Sequence, residues 1–185
     1  KFFMKNLSKK ETLGSYFSNV GMAYYKHSQP KRAIFYLNLS TQINPLSIEA
    51  HNNLGNIYSE QKQPDNAIKQ YLKAIEADPK NMAGLFNLGI AYMESGKSQQ
   101  AVDAFRRALN VNPDYIPAHE ILSRHFMEQK NFEIAILHLN QLFSLQPGNL
   151  KTQEALAEAH YRLDKFDEAI VHYREILRQR PGMIK

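Results

Sequence analysis

The sequence predicts an all-α chain, an α-solenoid of stacked antiparallel helix pairs, on three observations. Prolines recur every 34 residues, at Pro45, Pro79, Pro113, Pro147 and Pro181. Between them the apolar residues return with the 3.6-residue helical period. The 185 residues include only 8 Gly and 8 Pro, too few for the turns of an all-β chain. A fixed period of this length marks a repeat architecture, in which each unit buries its apolar face against its neighbours.

Each part of the unit has a physical reason. The first helix carries a large apolar column (Val20, Leu54, Leu88, Leu122, Leu156), followed at once by a small one (Gly21, Gly55, Gly89, Ser123, Ala157). Four residues after the large column comes a ring: Tyr24, Tyr58, Tyr92, Phe126 and, as a departure, His160. Leu54, Gly55 and Tyr58 thus share one helical face. The segment Lys62-Gln63-Pro64-Asp65 breaks the chain, with Pro64 near the start of the second helix, where its missing N–H costs little. The second helix carries an alanine column (Ala33, Ala67, Ala101, Ala135, Ala169) and a bulky one (Leu37, Tyr71, Phe105, Leu139, Tyr173). Small residues such as Gly55 and Ala67 are expected where the two helices cross closely. The closing proline then stops the helix, because the residue before it is biased away from the α conformation.

This pattern resembles the tetratricopeptide repeat (TPR), whose 34-residue helix–turn–helix units carry the same small, aromatic and proline positions. The resemblance covers residues 14–183 as five units: 14–47, 48–81, 82–115, 116–149 and 150–183. It implies a right-handed superhelix whose first helices line a concave groove. Toward the C-terminus the alanine expected after the bulky column becomes Leu142 and Ile176, which should open the local helix spacing. Residues 1–13 read as the tail of a preceding helix or an N-terminal extension, with Phe3 in the bulky register and Leu7 in the apolar register after it. No polar cap is visible at either end, so the chain reads as a piece of a longer protein.

Composition narrows the function classes. The chain has no Cys, which excludes disulfide scaffolds, thiolate zinc sites and cysteine nucleophiles. No apolar run approaches the about 18 residues of a membrane span, and Lys1-Phe2-Phe3-Met4-Lys5-Asn6 is too short an apolar stretch for a signal peptide. The net charge of +5 sits at the ends: Lys1, Lys5, Lys9 and Lys10 against Glu11, and Arg174, Arg178, Arg180 and Lys185 against Glu175. The body between is near neutral and offers no phosphate-tracking stripe, so no nucleic-acid partner is expected.

No catalytic constellation is present. The sequence has no Gly-rich phosphate loop, no G-x-S-x-G elbow and no H-E-x-x-H; His119-Glu120 opens like the last, but the next histidine is His125. His138 and His172, one period apart, are a facing pair at best and read as helix packing rather than metal ligands. His160 is expected as a hydrogen-bonded packing residue. The chain is therefore expected to be non-enzymatic, without cofactor or metal.

What remains is the surface. By the resemblance, unit positions 2, 5, 6, 9, 12 and 13 line the groove. Position 6 reads Asn19, Asn53 and Asn87, then Ile121 and Ala155, and Asn52 and Asn56 thicken the row. An amide both donates and accepts, so it can pair with the backbone of an extended peptide. The row resembles the asparagine ladder in the TPR region of O-GlcNAc transferase. Met22 and Tyr25, Phe86, Ile90 and Met93, and Ile121 and Met127 are expected as apolar anchors, with packing between units as their alternative use. Glu120 and Arg124 belong to a net acidic stretch with Glu94, Glu128, Glu154, Glu158, Lys151 and Arg162, which suits a ligand with a basic stretch.

Chaperone-binding TPR domains hold a carboxylate with basic residues at set groove positions. Starting from unit one this chain offers Ser18, Met22, Asn53, Ala83 and Asn87; from unit two, Asn52, Asn56, Asn87, Pro117 and Ile121. The basic residues are missing in both registers, which excludes that mode. The expected function is a protein–protein interaction adaptor or scaffold that takes a peptide or helical segment in its groove. The alternatives are a self-assembling homo-oligomeric scaffold joined through its repeat ends, and the substrate-recruiting region of a larger enzyme such as a glycosyltransferase.

Overall fold

The computed structural model describes residues 8–179, and these contain ten α-helices and no strand. They form two compact units, one running through Val111 and one from Asn112. The first holds three hairpins: α1 (Lys9–Lys26) with α2 (Pro30–Ile43), α3 (Ile48–Glu60) with α4 (Pro64–Ala77), and α5 (Met82–Glu94) with α6 (Ser98–Val111). The second holds two: α7 (Ile116–Glu128) with α8 (Phe132–Leu145), and α9 (Leu150–Arg162) with α10 (Phe166–Gln179). Second helices start one period apart throughout, and first helices do so from α3 onward.

The N-terminus departs from the expected register. Ser8 caps α1 by a reciprocal capping box, accepting from the Glu11 N–H while its own N–H donates to the Glu11 carboxylate at 2.6 Å. Residues 9–13 therefore extend α1 to 18 residues, against 13 in α3, instead of ending a preceding helix. The remainder of that expected tail, with Phe3 and Leu7, lies outside the described residues.

Each hairpin turns on the same device. Ser28, Lys62, Gly96, Lys130 and Asp164 all have φ between 56° and 71°, the left-handed region. Around them the first helix ends in a Schellman motif: the Lys62 N–H donates to Ser59 O and the Gln63 N–H to Tyr58 O, both at 2.9 Å. The same pair of bonds recurs at the other four turns. Pro30 and Pro64 then open α2 and α4 as their first helical residues.

The columns meet to form the core. Leu54, Leu122, Leu156, Ala33, Ala67, Ala101 and Ala135 are fully buried, and Leu37, Tyr71, Phe105 and Leu139 are buried with them. The glycines are small for a more specific reason than a close helix crossing. A Cβ on Gly55 would meet Tyr71 Cε1 at 2.4 Å, and one on Gly89 would meet Phe105 Cε1 at 2.5 Å. The ring of the second helix occupies the space that the first helix leaves open. Where the small residue has a Cβ, the partner changes: Ser123 faces a buried Leu139, whereas Tyr173, in register with Ala157, is 44% exposed. Leu142 and Ile176 are both buried.

Candidate functional site

In the first unit the asparagines hold one another. Asn56 Oδ1 accepts from Tyr71 Oη at 2.8 Å and from Asn87 Nδ2 at 3.0 Å. Asn52 and Asn81 exchange hydrogen bonds at 3.2 and 3.4 Å, while Asn81 Oδ1 also caps α5 by accepting from the Gly84 N–H. Two of the five amides expected as a peptide ladder are thus fastened at their oxygen or at both ends, and Asn87 keeps its oxygen free of that network. Asn19 is exposed on α1, and Asn53 is half-buried on α3.

These residues border a cavity of about 210 Å³ between α3, α4 and α5, lined by Asn56, Ser59, Glu60, Tyr71, Asn87 and Ile90. Its charge is negative. Burial, reinforced by the Glu94 and Glu60 carboxylates, pushes the Tyr71 phenol well above its usual value. Tyr71 therefore stays protonated and serves as the donor to Asn56. The Tyr25 hydroxyl donates to Glu60, and Ser59 Oγ donates to Glu94 at 3.4 Å. Lys62 approaches Glu94 only at 3.8 Å from an exposed position, a contact of little energetic weight.

The apolar residues expected as anchors divide between packing and lining. Met22 packs against the cluster of Ala33, Leu37 and Leu54, and Phe86 tilts against Phe105 with ring centroids 5.6 Å apart. Ile90 lines the cavity, and Met93 is half-buried nearby on α5.

In the second unit Glu120, Arg124 and Met127 come together on a larger cavity of about 430 Å³ between α7, α8 and α9. Leu139, Leu142, Lys151 and Ala155 line it with them, as do the polar Ser123, Asn149 and Thr152. Arg124 and Met127 occupy the register of Asn56 and Ser59, Leu139 that of Tyr71, and Ala155 that of Asn87.

The histidines depart from expectation. His138 and His172 do not face each other, because each meets the first helix of its own hairpin. His138 Nδ1 lies 3.0 Å from His119 Nδ1, and His172 stacks on His160 at 5.8 Å and 15°. The buried Nδ1 of His160 has no hydrogen-bond partner among the described residues, so this ring packs by stacking alone. Burial lowers the affinity of His160 and of His172 for a proton, and for His172 the neighbouring His160 adds to the effect.

The fourth position of the unit has a structural role that sequence reasoning missed. His51 and His119 place Nε2 at 3.0 and 2.8 Å from the carbonyls of Pro45 and Pro113, and Gln153 Nε2 donates to Pro147 O at 2.9 Å. Each ties the start of a first helix to the proline that closed the previous unit. A polar residue six positions after each of these prolines was the available signal. Among the described residues no group of three or more His, Asp or Glu could hold a metal ion, and no helix is long and apolar enough to cross a membrane.

The comparisons agree with this architecture. No curated protein sequence matches the chain. Among solved structures, MamA superposes with a TM-score of 0.78 at 22% identity over 90% of this chain and 91% of its own. A tetratricopeptide repeat protein from Parabacteroides merdae gives 0.76 at 18% identity, over 93% and 68%. YrrB, described as a TPR protein with an unusual peptide-binding site, gives 0.75 at 15% identity, over 95% and 90%. At these identities the likeness is one of fold. Family models named tetratricopeptide repeat match residues 48–81, 83–115 and 122–184, well over half of the sequence. The chain belongs to the tetratricopeptide repeat family.

Proposed function

We propose that this protein is a non-catalytic interaction scaffold, with 14–47, 48–81, 82–115, 116–149 and 150–183 as its repeats. Its first-helix face binds an extended or helical segment of a partner protein. The observation that carries this reading is the cavity at Asn56 and Asn87. Amides, a carboxylate and the apolar Ile90 converge there on open space instead of filling it. Asn19, Asn53 and the oxygen of Asn87 supply polar groups for a peptide backbone, and Glu60 and Glu94 suit a basic side chain of the partner. Three amide contacts at about 0.5–1.5 kcal/mol each give little affinity by themselves, so side-chain anchors such as Phe86, Ile90 and Met93 contribute the rest. The peptide-binding site of YrrB, on the same fold, supports the reading by analogy.

The test is selection of a random dodecapeptide display library on the full chain, repeated with Asn53→Ala, Asn87→Ala and Phe86→Ala combined. The wild-type chain should enrich a consensus and the triple variant should lose it, with circular dichroism unchanged. Equal enrichment by the two proteins removes this face from consideration.

A further inference from the structure

Resting on the groove reading above, we propose that the cavity between α7, α8 and α9 anchors a large apolar side chain, preferably aromatic, of a partner segment that carries a carboxylate beside it. The second and third repeats fill the equivalent place. In the hairpins α3–α4 and α5–α6 the bulky position is a ring, Tyr71 or Phe105, lying over a glycine so closely that a Cβ there would overlap it. The cavity beside Tyr71 measures about 210 Å³. In α7–α8 the glycine is Ser123 and the ring is Leu139, while Ala155 stands where Asn87 stands one cavity earlier. The exchanges at Leu139 and Ala155 remove a ring and an amide from the same register, and the cavity there measures about 430 Å³. A cavity of about 150 Å³ lined by apolar side chains is enough to hold benzene, so a phenyl or indole group has room here. Leu139 and Leu142 contribute buried apolar side chains to its wall, and half-buried Met127 contributes an adaptable one.

The rim supplies the second half of the specificity. Arg124 and Lys151 line the cavity, both exposed, and neither forms an ion pair with a described residue. The one carboxylate that lines it is Glu120. Of the other charges on this stretch, Arg162 is bound to Glu158 at 3.3 Å, and Glu128 and Glu154 do not line the cavity. The stretch is acidic in total, but the cavity mouth is cationic. A neighbouring Asp or Glu of the partner therefore complements it, whereas a Lys or Arg does not.

The probe is N-acetyl-L-phenylalanine, a ring with one carboxylate, titrated into the full chain carrying ¹³C-methyl Met and Leu. Saturable shifts are expected at the Met127, Leu139 and Leu142 methyls. N-acetyl-L-alanine should leave them unmoved, and phenethylamine, a ring with a cation, should bind several-fold more weakly. Combining Ser123→Gly with Leu139→Phe recreates the glycine–ring pair of the second and third repeats, narrows the cavity and should weaken the shifts several-fold with helicity intact. Arg124→Gln with Lys151→Gln should weaken N-acetyl-L-phenylalanine toward the level of phenethylamine.

Undiminished shifts in the narrowed variant, phenethylamine binding as well as the acid, or no shift up to the solubility limit would each overturn the proposal. The groove reading fails separately. If peptide selection depends on Asn53, Asn87 and Phe86 while the probe shows no binding, the groove stands and this anchor falls; probe binding without that dependence has the opposite meaning.

Discussion

A methyl group on Gly55 cannot share space with the Tyr71 ring, since its Cβ would lie 2.4 Å from Cε1. Gly55→Ala must therefore push the ring outward, and overpacking of this kind costs about 1–3 kcal/mol. Tyr71→Leu alone loses ring packing and the hydroxyl bond to Asn56. Combined, the two changes approximate the Ser123–Leu139 pair that the chain already uses. The double variant should therefore be more stable than the sum of the two single losses predicts, read from urea midpoints in a double-mutant cycle. Strict additivity would show that the glycine and the ring are not a matched pair. The sequence displays both columns plainly; what it does not display is that they interlock, because the contact joins residues 16 positions apart on different helices.

At the scale of the helical element, α9 and α10 stack two half-buried histidines on each other. His160 and His172 both bind a proton less readily in the folded chain than in the unfolded one, chiefly because burial disfavours the charged ring. The unfolded state therefore takes up more protons as the pH falls, and stability rises with pH wherever that holds. Hydrogen exchange of α9–α10 amides should accelerate relative to α3–α4 as the pH drops below the ordinary imidazole value of about 6.5, after correction for intrinsic rates. His160→Phe, which restores the ring found in the other four units, should reduce that dependence and leave the part that burial of His172 supplies. A dependence unchanged by His160→Phe would place its origin elsewhere. The sequence marked His160 as a departure from an aromatic column, but its stacking partner came from the hairpin and not from the 34-residue period.

For the molecule as a whole, the first unit has the means to fold by itself. Two apolar clusters, one around Leu37 and Leu54 and one around Tyr71, Leu85 and Leu88, lie entirely before Val111. A fragment ending at Val111 should retain its helical circular dichroism and unfold cooperatively, as expected where stability is a sum of repeats and their nearest-neighbour interfaces. A fragment without a cooperative transition would contradict the division at that point. The end of this unit was not legible in the sequence, where the 34-residue period runs past Val111 without interruption.

By itself the sequence determined the period, the hairpin, the proline that opens or closes a helix, and the columns that make the core. These depend on spacing within a few turns of one helix, where i and i+4 neighbours are fixed by backbone geometry. Only the tertiary structure decided which small residue receives which ring, which asparagines are tied together, and where a cavity opens. Those outcomes depend on volume and hydrogen-bond capacity summed across three helices. A single exchange of ring for Leu at Leu139 changes that sum without disturbing the repeat.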